Sequence, residues 1–82
     1  MPSPETQAAW AEAVAAAKRY RRLVHAEYAR VEGEDSAEAR RAHAATVYAD
    51  LACCALKAAN GDDEARRILR AFSPPPRGGE DL

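Results

Sequence analysis

Between Pro4 and Gly33 the chain contains neither glycine nor proline, and that uninterrupted run constrains the fold more than any other feature. Ser3-Pro4-Glu5 carries the signals of a helix start: a capping hydroxyl, a proline where no backbone N–H is needed, and an acid in the first turn. The spacing predicts a helix over 4–32, about 43 Å long at 1.5 Å per residue. A rod of that length cannot sit inside a compact globule of 82 residues.

Beyond Gly33 the pattern repeats. Asp35 followed by Glu38 fits a capping box, predicting a second helix over 36–60 that ends at Asn60-Gly61. A third, over 63–72, carries Ala65, Ile68, Leu69 and Phe72 at helical spacing, with Asp62 or Asp63 as its cap. Residues 1–72 therefore read as a single helical domain, and "SPPPRGGEDL" at 73–82 as a disordered tail. Two long helices joined by a short turn must fold back on one another. The expected fold is all-α: a long antiparallel hairpin with a short third helix. A turn centred on Glu34 sets Trp10 near Ala58, Val14 near Cys54, Tyr20 near Tyr48 and Val24 near Ala44. The same register puts Asp50 beside Lys18 and His25 level with His43. The third helix is expected over Trp10, Val14 and the Leu51–Leu56 stretch.

Composition limits the core. Of 39 hydrophobic residues, 21 are alanine, which favours helix but buries little surface. With the third helix covering one end, Leu23, Val24, Tyr28, Val31, Val47 and Tyr48 near the turn are left without cover, and Leu23 lies well off the main apolar stripe, with Ala16 and Tyr20. Such a patch marks an interface. The simplest cover is a second copy of the chain, two hairpins forming a helical bundle, with a different protein partner as the competing expectation.

The second feature that asks for an explanation is "KRYRR". Lys18, Arg19, Arg21 and Arg22 stand together in a chain of formal net charge −1, and no acid occurs between Glu12 and Glu27. Lys18 and Arg22 are like charges four apart, a mildly repulsive arrangement. Helical phase puts Lys18, Arg22 and His25 on the outward face, with Arg19 and Arg21 at its edges. This basic face suits acidic surfaces of a protein partner. The alternative is a nucleic-acid-binding regulator contacting phosphates, for which near-neutral total charge and the absence of a recognisable recognition motif give little support.

Other chemistry is sparsely signposted. Neither His25 nor His43 has a glutamate three residues before it, so the helical-bundle metal pattern is missing, and no metal or cofactor is expected. His43, Asp50, Cys54 and Lys57 share a stripe of the second helix, but a thin alanine-lined hairpin offers no pocket for a nucleophile, and no catalytic residue is assigned. Cys53 and Cys54 are adjacent and cannot form a disulfide framework; reduced thiols imply the cytoplasm. No apolar run approaches the length of a membrane span. The expectation is a non-catalytic regulatory or adaptor protein that binds a macromolecular partner.

Overall fold

The computed structural model describes residues 2–72, and within them the protein is three α-helices in a row: α1 (Pro4–Val31), α2 (Ala37–Ala59) and α3 (Asp63–Phe72). The predicted tail at 73–82 lies outside the described residues. Each boundary has a local cause. Ser3 Oγ accepts from the Thr6 N–H at 3.1 Å and caps α1. Gly33, at φ +91°, turns the chain out of α1 in the left-handed region that side chains rarely adopt. The cap of α2 is Ser36, whose Oγ accepts from Ala39 N–H at 3.1 Å. The capping box expected at Asp35 does not form: that carboxylate reaches the guanidinium of Arg40 at 3.3 Å instead.

The C-terminus of α2 is closed with unusual completeness. Gly61, at φ +94°, donates to the Ala58 carbonyl at 3.1 Å, and Asp62 N–H to that of Lys57 at 3.1 Å, the paired bonds of a Schellman turn. The Leu56 carbonyl is taken by the Trp10 indole N–H from α1 at 2.7 Å. Asp62 then caps α3, accepting from Ala65 N–H at 3.0 Å.

α1 and α2 pack as an antiparallel hairpin. Its seam runs through Gln7, Trp10, Val14, Ala17, Arg21, Val24, Tyr28 and Val31 on α1, and Ala39, Ala42, Thr46, Ala49, Cys53 and Leu56 on α2, all buried or half-buried. Steps of three and four alternate along both strings, the spacing of a left-handed two-stranded coiled coil. Half of the α2 string is alanine, so the seam is thin. No side chain among the described residues is less than 2% exposed. Thr46, the buried polar member, donates its hydroxyl to the His43 carbonyl at 2.6 Å and costs the seam nothing in unmade bonds.

α3 departs from expectation. It folds back along the outer side of α2, burying Ala65 beside Cys54 and Lys57, and none of its Cα atoms lies within 8 Å of α1. It does not cover Trp10 or Val14. The reason is the tight turn at Asn60–Asp62: it leaves no slack to carry the chain over α2 to α1. The molecule is accordingly open, with a Cα radius of gyration of 15.8 Å against about 12 Å for a compact chain of this length.

Candidate functional site

Two polar contacts define one side of the hairpin. His25 Nε2 and Asp50 Oδ1 are 3.0 Å apart, joining α1 to α2. Nearer the turn, the Tyr28 and His43 rings lie 5.3 Å apart at 53°. The two histidines are therefore not level with one another, and Asp50 is not beside Lys18, as the sequence register had set them. At the other end Trp10 reaches Leu56 and Gln7 reaches Asn60, within two residues of the expected pairing, so the departure is confined to which side chains meet on this side of the hairpin. Neither histidine shares a metal-binding cluster: among the described residues no three His, Cys, Asp or Glu side chains converge. Cys53 is buried in the seam, and Cys54 is half-buried beside α3; both are free thiols.

α3 packs on this same side, since Cys54 and Lys57 lie in the helical phase of Asp50. The side opposite is uncovered. There, Tyr20 is 54%, Leu23 58% and Tyr48 71% exposed. Helical phase places Tyr20 and Leu23 on one flank of α1 and Tyr48 on the matching flank of α2, with Ala13, Ala16, Ala45 and Ala52 among them. Large apolar side chains thus rim a floor of small ones.

The residues expected to form one apolar patch are divided by this geometry. Leu23 and Tyr48 stand on the open flank. Val24 is 5% exposed in the seam, so its side chain has no surface to offer. Tyr28 and Val31 are half-buried in the same seam, and Val47 is half-buried on the far side of α2. Tyr20 belongs to the flank and was not grouped with Leu23 and Tyr48 as interface; the three-four alternation of the seam is the signal that would have placed it there.

The basic knot is likewise split. Lys18, Arg19 and Arg22 are exposed, whereas Arg21 is half-buried at a seam position, not at the edge of the outward face. Lys18, Arg21 and Arg22 make no ion pair or hydrogen bond among the described residues. No helix among those residues is long and apolar enough to cross a membrane. Comparison with models of protein families, with curated proteins and with solved structures gives no match to this chain.

Proposed function

We propose that this chain is a small, non-catalytic helical binding protein of the cytoplasm, a regulator or adaptor that pairs with a second copy of itself and engages another macromolecule. The observation that carries the reading is the open flank. Tyr20, Leu23 and Tyr48 leave three large apolar side chains more than half exposed on one side of the hairpin. A copy of the same flank is the occupant its charges favour. Glu27 and Glu38 stand beside Arg30 and Arg41 around the hollow at its turn end. Acids and bases in equal number on one surface can cross-pair about a two-fold axis, whereas the single-sign face around Lys18 would repel its own copy. Alanines between the aromatics let two hairpins approach to bundle distance.

Two observations support the non-catalytic reading. His25 is engaged by Asp50 and His43 by Tyr28, and no hydrogen bond joins either thiol to a histidine among the described residues. The free thiols suit a reducing compartment. Sedimentation velocity tests the reading: wild type runs as a dimer, and Leu23→Asp, which places a carboxylate at the centre of the flank, runs as a monomer with its helical circular dichroism intact. A wild type that stays monomeric at every concentration sampled removes the pairing.

A further inference from the structure

The side of the hairpin that carries α3 holds a group of cations that make no ion pair among the described residues. The His25–Asp50 contact marks which positions of α1 and α2 meet across the seam on that side. One heptad back along α1 and one heptad on along α2, the same relation sets Lys18 opposite Lys57. Arg21 lies in the seam between these two levels and Arg22 on the outer edge. Lys57 and Arg21 are half-buried, and none of the four has a hydrogen-bond or ion-pair partner among the described residues. Glu64 of α3 borders the same hollow as Lys57 without coming into salt-bridge range. Two lysines facing one another across a seam repel, and the part-burial of Lys57 removes some of the water that would screen them.

We infer that this cationic surface, shared by α1 and α2 on the side that carries α3, is a docking site for a short acidic segment of a partner protein. The inference rests on reading the chain as a binding protein and specifies what it binds. Its dimensions choose between anions. From Lys18 to Arg22 the cationic stretch is about 6 Å long, one helical turn. That stretch is too short for the many phosphate contacts that drive nucleic-acid binding. Two or three carboxylates on one turn of a partner fit within it. The fork of Arg21 can take one of them with two hydrogen bonds, in a site already partly dry.

The test uses fluorescence anisotropy of a labelled hexaglutamate peptide with the wild-type protein, Lys57→Glu and Arg21→Gln. Lys57→Glu turns the lysine pair into an ion pair, so it keeps the fold while cancelling the site. The peptide should bind the wild type at about 50 mM salt, weaken at about 200 mM, and bind either variant at least about tenfold more weakly. A mixed-sequence DNA duplex should fail to displace it. No peptide binding at low salt, equal binding by the folded variants, or displacement by the duplex at comparable concentration overturns the inference, the last by giving the surface to phosphates. Sedimentation of the same samples separates this from the pairing of the open flank. A dimer that ignores the peptide removes only the cationic docking surface, and a monomer that binds it removes only the dimer.

Discussion

Arg21→Leu should make the protein more stable, a direction that only the seam position predicts. Arg21 occupies a place where a two-stranded coil takes an apolar side chain, and is half-buried there without a partner for its charge. A fully buried leucine contributes about 1.5–3 kcal/mol relative to an exposed one. Burial at this level is partial, and the arginine stem already covers part of the same surface, which leaves about 0.5–1 kcal/mol from area. Removing a charge from beside Lys18, Arg22 and His25 adds a few tenths. The total, about 1 kcal/mol, raises the melting temperature by about 4–8 °C in a domain of this size. It also moves a urea midpoint by up to about 1 M. Trp10 fluorescence and far-ultraviolet circular dichroism should report the same midpoint, at one protein concentration because a dimer's stability depends on it. Arg22→Leu, on the exposed face, is the control and should change stability by less than about 0.5 kcal/mol. Arg21→Leu destabilising by 1 kcal/mol or more, or matching Arg22→Leu, refutes the seam assignment.

Trp10→Phe keeps most of the ring but leaves the Leu56 carbonyl without its 2.7 Å donor, which should cost about 1–2 kcal/mol in chemical denaturation. Gly33→Ala meets no atom within 4 Å of the new Cβ, so its cost is the backbone's alone at φ +91°, about 1 kcal/mol by the same assay. Ser36→Ala should lose about 1 kcal/mol as the cap of α2, whereas Asp35→Ala should be near neutral, a contrast that thermal melts resolve. His25→Ala breaks a half-exposed contact with Asp50 and should shift stability by less than about 1 kcal/mol in the same melts.

The helices were legible because their punctuation is local. Ser3-Pro4 and Asn60-Gly61 act within a few residues, and the long run free of glycine and proline leaves no place for a break. What misled was competition between neighbours of similar chemistry. Asp35 and Ser36 are both good caps, and their competition hid the true start of α2. Asp50 was set beside Lys18 for another reason: pairing by level does not say which side chains reach across the flank to meet, as Asp50 does with His25. The placement of α3 was beyond a pattern argument for a different reason. Its apolar stripe says that it packs, and only the closed turn at Asn60–Asp62 says that it packs on α2 alone. The basic knot was conspicuous as composition, yet its division into a half-buried Arg21 and three exposed cations follows from the three-four alternation, a period that must be counted along both helices together. Lys57, isolated among apolar residues of α2, acquires meaning only once the register is fixed.

The proposed surfaces lie on opposite sides of one thin sheet of helices, and this bears on how they would work together. A core of alanine and valine contributes little, so the hairpin has most to gain where its flank is covered by a copy. Pairing there leaves the α3 side untouched and duplicates it. A dimer then presents two cationic surfaces, facing away from one another and held by rigid helices at a fixed separation. Each surface alone offers four cations over about one turn, a weak grip on an acidic segment in physiological salt. Two such surfaces at fixed spacing convert the second engagement into an intramolecular one, so a partner bearing two acidic segments binds far more tightly than one bearing either alone. Arg21, a stability cost in the seam, is then retained for what it contributes at the cationic surface. Leu23→Asp should reduce affinity for a tandem acidic peptide to that of the single segment while leaving the single-segment affinity unchanged. Equal losses for both peptides would mean that the two sides of the hairpin are not independent.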